Sequence, residues 1–285
     1  MIDINKVSFG YPGHGNLYSN LEFSLPQGNI YGLLGRNGSG KSTLIYLIAG
    51  LLRPRKGNIL FMGDDTKKRE PKTLSNIFIL PEEFTLPKYN FKKYVKRYAP
   101  FYPRFSEETL KTCLSEFDMP YDMPMGELSM GNKKKAYVCF ALATNVSLLL
   151  LDEPTNGLDI PSKVQFRRAI SKTMTEDKSV IISTHQVRDI DNLLDHIIII
   201  DNGKLMLNAS TEAITNRYAF DERPMGEPVD DAIYVQRSVN GNKIIMDNNA
   251  GTDTPLDLEM LFTATVDGKI SIDNKDNNNQ KDEEL

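Results

Sequence analysis

Residues 35–43, Gly-Arg-Asn-Gly-Ser-Gly-Lys-Ser-Thr, set three glycines ahead of a lysine and two hydroxyls. Glycine loses more backbone freedom on folding than any other residue, so such a cluster needs a purpose. The spacing fits G-x-x-x-x-G-K-[ST], a loop whose backbone amides turn inward around a polyanion. Gly35, Gly38 and Gly40 permit the close approach, and Arg36, Asn37, Ser39 and Thr43 complete the cradle. Lys41 then reaches the β- and γ-phosphates of a nucleotide, and the Ser42 hydroxyl ligates Mg²⁺. A flexible loop that merely matches the pattern is the competing reading. A second run, Ser-Leu-Leu-Leu-Leu-Asp-Glu-Pro-Thr-Asn-Gly-Leu-Asp at 147–159, brings the carboxylates Asp152 and Glu153 to the end of an apolar segment. Asp152 is placed to bind Mg²⁺ through water, and Glu153 to polarise the water that attacks the γ-phosphate. Taken alone, the pair could also be an acidic cluster at a helix N-terminus.

These residues need elements to position them. Asn-Ile-Tyr-Gly-Leu-Leu before the loop reads as a short strand, and residues 41–52 after it as a helix with Leu44, Leu47, Ile48 and Leu51 on one face. A helix starting near Lys41 adds unpaired N–H groups and the positive end of its dipole to the anion site. Four consecutive leucines at 148–151 indicate a strand buried on both faces, as in a parallel sheet. In open α/β sheets ligands bind beyond the carboxyl ends of the strands, which is where both runs fall. The predicted fold class is therefore α/β, a P-loop core with a mainly parallel sheet.

The composition allows this. The chain has 285 residues, 40% hydrophobic and 25% charged, ample for a sizeable core. A net charge of −4 argues against a general nucleic-acid binder, so no nucleic-acid partner is expected. Cys113 and Cys139 are far apart and form no CxxC, which favours free thiols in a reducing cytosol. The first residues, Met-Ile-Asp-Ile-Asn-Lys, show neither a basic nor an apolar signal region, so no signal peptide is expected. The longest apolar runs fall far short of the roughly 18–20 residues of a membrane span.

With the phosphate loop and the acidic strand in order, the sequence resembles the ATP-binding cassette (ABC) ATPases. Glu-Leu-Ser-Met-Gly-Asn-Lys-Lys-Lys at 127–135 is similar to the family signature Leu-Ser-Gly-Gly-Gln: Leu128, Ser129 and Gly131 are kept, while Met130 and Asn132 depart from it. The resemblance implies that Ser129 and Gly131 serve the γ-phosphate of ATP on a second subunit. Lys133, Lys134 and Lys135 stand near that site and read as a solvated helix face. The resemblance further implies that Asp159 bridges the dimer interface and that His185, after the strand Ser-Val-Ile-Ile-Ser-Thr, contacts the γ-phosphate and the attacking water; a structural histidine is the other reading. Tyr11 resembles the aromatic that stacks on adenine, or is a turn residue beside Pro12. Where the family carries a glutamine at the metal, this chain has Glu82 or its neighbour Glu83. A carboxylate still ligates Mg²⁺ but cannot donate a hydrogen bond when ionised.

The expected organisation is an ABC ATPase domain over 1–219, with an N-terminal antiparallel β subdomain and a helical subdomain at about 84–140. A small α+β extension follows over 220–272, its residues 232–248 reading as two strands joined through Asn-Gly-Asn, a hairpin signal, and then a disordered acidic tail over 273–285. The resemblance implies an ATP-hydrolysing subunit with Mg²⁺, paired as a homodimer or with a related cassette. It would drive a separately encoded transmembrane permease, exporter-like in type, from the cytoplasmic face of the membrane. A soluble single-cassette ATPase of an assembly process, or a regulatory module that holds ATP without hydrolysing it, are the alternatives.

Overall fold

A computed structural model describes residues 1–272; the tail expected to be disordered, 273–285, lies outside the described residues. Three sheets organise the chain. The first is antiparallel, in the order β2 (Tyr18–Leu25), β1 (Ile2–Phe9), β4 (Lys56–Phe61), β5 (Asp64–Asp65). The second is the central sheet, ordered β10 (Lys204–Ser210), β9 (His196–Asp201), β3 (Ile30–Leu34), β8 (Ser179–Thr184), β7 (Leu148–Asp152), β6 (Ile77–Leu80). Its strands run parallel except for the antiparallel edge strand β10. The third is a small antiparallel sheet, β11 (Tyr218–Pro224), β13 (Gly241–Asp247), β12 (Tyr234–Arg237). The α/β class follows from this layout.

The central strands are buried on both faces, and their alternation divides the core in two. Leu148, Leu150, Ile181, Ile198 and Leu33 face the antiparallel sheet and helix α1 (Lys41–Ile48). Leu149, Leu151, Ile182, Ile197 and Leu34 face the other way, into a core shared with the remaining helices and the C-terminal extension. Helix α1 is shorter than its apolar pattern: it ends at Ile48, and Leu51, expected on the buried face, is 51% exposed. Gly50, at φ 65°, stops the helix one residue earlier, in the left-handed conformation that helix ends favour.

Beyond the short helix α2 (Pro71–Leu74) lie α3 (Phe91–Tyr98), α4 (Glu107–Glu116) and α5 (Met130–Ala143). Ser106 starts α4 as its sequence suggests, its Oγ accepting the Thr109 amide at 3.1 Å. Aromatic edges knit these helices to β6: the Phe78 and Phe140 rings are 5.9 Å apart and those of Tyr94 and Phe140 5.0 Å. The chain then alternates through α6 (Ile160–Thr173) and α7 (Thr211–Arg217) and ends in α8 (Leu258–Val266) against the third sheet and β9–β10. The hairpin expected in the extension is β12–β13. The sequence does not reveal that a third strand, β11, pairs with β13 along its whole length.

Candidate nucleotide site

Four neighbouring strands of the central sheet deliver the candidate residues from their carboxyl ends. Strand β3 feeds the glycine loop, β8 ends one residue before His185, β7 ends in Asp152 with Glu153 next, and β6 leads into Pro81 and Glu82. Because β3, β8, β7 and β6 are consecutive in the sheet, residues from 37 to 185 meet in one cleft of about 870 Å³. Tyr11, Asn37, Gly38, Gly40, Lys41, Ser42, Thr43, Glu82, Glu153 and His185 line it.

The loop takes the conformation its glycines permit. Gly40 caps α1 with φ 111°, and a Cβ there would lie 2.4 Å from the Tyr18 hydroxyl, which donates to the Gly40 carbonyl at 2.7 Å. A Cβ on Gly35 would lie 2.4 Å from Ser39 Oγ and 2.5 Å from the Ile200 carbonyl. The Lys41 ammonium is folded into the loop, donating to the carbonyls of Gly35 at 2.8 Å and Arg36 at 3.3 Å. Burial pushes its pKa below the usual lysine value, opposed by the nearby carboxylates of Glu153, Asp152 and Glu82.

Opposite the loop, Ser183 on β8 organises the acidic pair. Its hydroxyl donates to Asp152 Oδ1, and its Oγ and carbonyl both accept the Glu153 amide. The other Asp152 oxygen, Oδ2, is buried without a protein partner, and so is Ser39 Oγ at the base of the loop. A buried carboxylate oxygen without a donor is costly unless a cation or its water shell reaches it. Asp152 and the Ser42 hydroxyl therefore fit Mg²⁺. Glu153 has a left-handed backbone, φ 46°, and its Oε1 lies 2.8 Å from His185 Nδ1 and 3.9 Å from Lys41 Nζ. Glu82 is exposed and accepts the Asn156 side-chain amide at 3.1 Å. Tyr11 stands at the rim, 42% exposed, its hydroxyl 3.0 Å from Thr43 Oγ1 and its ring edge-on to Phe9.

Ser129, Gly131 and Asp159 do not line this cleft. They stand together elsewhere, at two helix starts: Ser129 caps α5 by accepting the Asn132 amide at 3.2 Å, and Asp159 caps α6 by accepting the Ser162 amide at 2.9 Å. Those bonds to Ser162 hold the Asp159 carboxyl below its usual pKa. A Cβ on Gly131 would sit 3.7 Å from the Gly157 carbonyl, so the two helix starts are neighbours. Gly35 and Arg36 do not line the cleft either; they face a second cavity of about 280 Å³, shared with Asn37, Thr184, His185, Val187 and Phe262 of α8.

One expectation is corrected. Of Lys133, Lys134 and Lys135, expected on a solvated face, Lys134 is buried at 4% exposure. Its stripe explains why: one turn on, at i+4, stands the buried Val138, so the second turn of α5 already faces the interior. Asn156, which opens the Asn-Gly-Leu-Asp run at 156–159 that resembles the family's loop at the dimer interface, is a further residue lining the cleft.

A glycine loop at a helix start and an acidic pair two strands away, on a parallel sheet, define a P-loop nucleotide-binding protein. A profile described as "ABC transporter" matches residues 18–156. An ABC transporter ATP-binding protein of Archaeoglobus fulgidus, described as putative, is 31% identical over 70% of this chain and 87% of its own length. The ABC transporter ATP-binding protein YtrB of Bacillus subtilis is 28% identical over 94% of this chain and 99% of its own. The solved structure of an ATP-binding subunit of an ABC transporter superposes with a TM-score of 0.68, at 24% identity, over 75% of this chain and 91% of that one. The chain belongs to the ABC transporter family, among its ATP-binding proteins.

Proposed function

We propose that this chain hydrolyses ATP with Mg²⁺ as one half of a cassette dimer, and that the cycle drives a separately encoded transmembrane permease. The contact that carries the hydrolytic reading is Glu153 Oε1 to His185 Nδ1, 2.8 Å, inside the cleft that also holds Lys41. A carboxylate beside an imidazole, at the edge of a phosphate cradle, can orient a water and accept its proton as the water attacks. Lys41 leaves the loop carbonyls for the β- and γ-phosphates, where its charge offsets that of the transferring group. Ser42, Asp152 and Glu82 would hold the Mg²⁺, and Tyr11 would pack on the base. Mg²⁺ supplies neutralisation of phosphate charge and orientation of the phosphate oxygens.

The dimer accounts for Ser129, Gly131 and Asp159 standing outside their own cleft. A serine-capped helix N-terminus with a nearby glycine amide suits the γ-phosphate bound to a second copy or a related cassette. Among the described residues, no helix is long and apolar enough to cross a membrane. Residence at the inner face of the membrane would thus come through the permease.

The test is Glu153→Gln. It should retain ATP binding while turnover falls by on the order of 10²–10⁴; native turnover in this variant would remove the role given to Glu153. The same variant, captured with ATP from its host in mild detergent, should bring down a multi-span membrane protein in near-equal amount. Recovery of soluble partners alone would favour a soluble assembly ATPase.

A further inference from the structure

Three consecutive lysines on a helix point about 100° apart and so do not share one face. In α5 the one turned inward is Lys134. Its ammonium donates to the Glu153 carbonyl at 3.1 Å and to the Asn156 carbonyl at 2.8 Å. Burial lowers its pKa, and the carboxylates of Glu82, Glu153 and Asp152 oppose that shift.

The two carbonyls belong to a loop anchored at its start by the Glu153 amide on Ser183 and by burial of Thr155 and Leu158, and closed by two further backbone bonds. The Asn156 amide closes one turn on the Glu153 carbonyl at 3.2 Å, and the Leu158 amide closes the next on Thr155 at 3.1 Å. Glu153 itself stands at φ 46°, a conformation that costs a non-glycine residue free energy and persists only when its surroundings enforce it. Lys134 bonds to both ends of the first turn, so it holds the segment from which the Glu153 carboxylate and the Asn156 side chain project. Asn156 in turn donates to Glu82. From the start of the same helix, roughly one turn earlier, Ser129 and Gly131 present the face assigned to the partner's nucleotide.

We propose that Lys134 is a positioning residue that braces the loop of residues 153–156 from α5, and so ties the placement of the Glu153 carboxylate to the helix carrying Ser129 and Gly131. The kinetic part of this rests on the hydrolytic reading above; the structural part does not. A small displacement of a reacting group costs far more in rate than in binding, because only the transition state needs the full alignment. The brace therefore acts on kcat rather than on nucleotide affinity. A lysine that merely filled space or balanced charge would leave the loop as ordered as before once replaced.

The test compares Lys134→Met, which keeps the chain length without a donor, with Lys134→Gln, which keeps a donor without the charge. Lys134→Met should lower kcat by about 10- to 100-fold, with KM and the Kd of a fluorescent ATP analogue within about twofold of native. Lys134→Gln should recover part of the loss. In the nucleotide-free protein, hydrogen exchange at the Asn156 and Leu158 amides should quicken about tenfold or more in Lys134→Met, with the β3 and β8 amides unchanged. Native kcat together with native exchange overturns the proposal, as does a rise in KM and Kd at unchanged kcat. If the native protein proves not to hydrolyse ATP, the hydrolytic reading fails, and the exchange measurement still decides whether Lys134 braces the loop. If Lys134→Met does not fold, Lys134→Gln carries the comparison: slower turnover with faster exchange at 156 and 158 supports the brace, and native values for both overturn it.

Discussion

At the scale of single residues, charge and burial set the behaviour of the site and its surroundings. His196 at the start of β9 shows burial acting on a titratable group away from the cleft. Its Nε2 lies 2.9 Å from Asn208 Oδ1, and its ring packs on Tyr31 at 5.2 Å. Burial pushes its pKa below the ordinary histidine value, partly offset by the Asn208 hydrogen bond and by Asp195. The sign follows from which state takes the proton. Above about pH 6.5 the histidine is neutral both folded and unfolded; below it, the unfolded chain binds a proton that the folded chain resists. Stability should therefore fall as pH drops from about 6.5 toward the lowered folded pKa, with a slope approaching about 1.4 kcal/mol per unit. Urea midpoints between pH 7.5 and 5 should show this slope in the native protein and a flatter one in His196→Asn. Equal slopes would mean that His196 titrates alike in both states.

Residues of this kind differ in how far the sequence exposes them. The place of Lys41 and Ser42 in the cleft is legible because the glycine loop and helix start form one short segment, so spacing and geometry are nearly the same thing. Glu153 is legible from its place after four leucines. Lys134 is not, since a lysine's polarity predicts solvent and only the loop it meets, nineteen residues on in the chain, supplies the partners that permit its burial. The contact between Glu82 and Asn156 joins residues 74 apart and depends on β6 and β7 being neighbours.

At the scale of elements, the same contrast separates the core strands from the C-terminal extension. Strands β7, β8 and β9 announce themselves because burial on both faces demands uninterrupted aliphatic residues. Strand β11, Tyr-Ala-Phe-Asp-Glu-Arg-Pro, buries only its first three residues and carries charge beyond, so its pairing with β13 is hidden by composition. Helix α8 fastens this extension to the core. Leu261 is fully buried in the core shared with the central sheet, whereas the neighbouring Arg188–Glu259 ion pair, 2.6 Å, is largely exposed. Packing should dominate. Leu261→Ala should cost about 2–5 kcal/mol, and Arg188→Gln far less, since exposed ion pairs are screened by solvent, read from urea unfolding monitored by circular dichroism. Comparable costs would mean that α8 is held by its surface charges instead.

At the scale of the whole molecule, the sheet order gathers Lys41, Glu82, Glu153 and His185 in the cleft and leaves the helix starts of Ser129 and Asp159 outside it. Met130 and Ile160, directly after the caps Ser129 and Asp159, are 63% and 79% exposed. Large apolar side chains at that level of exposure, beside polar groups left without a substrate of their own, suit a surface that is covered during function. Glu153→Gln with ATP should accordingly migrate at twice the monomer mass in size exclusion. Ser129→Arg in that background should return it to monomer, through steric and charge conflict with the nucleotide of the second copy. A monomer in Glu153→Gln under saturating ATP would contradict the dimer.

The cavity where Phe262 meets the glycine loop and His185 has a practical use. The chain contains no tryptophan but twelve tyrosines, so Phe262→Trp would introduce a lone indole that can be excited at wavelengths the tyrosines do not absorb. Its side chain would border Gly35, Arg36 and Asn37 on one side and His185 on the other. Any rearrangement of those neighbours on ATP addition would register as a change in emission, in real time and without a dye. The extension would then serve as a built-in optical gauge of the nucleotide cycle.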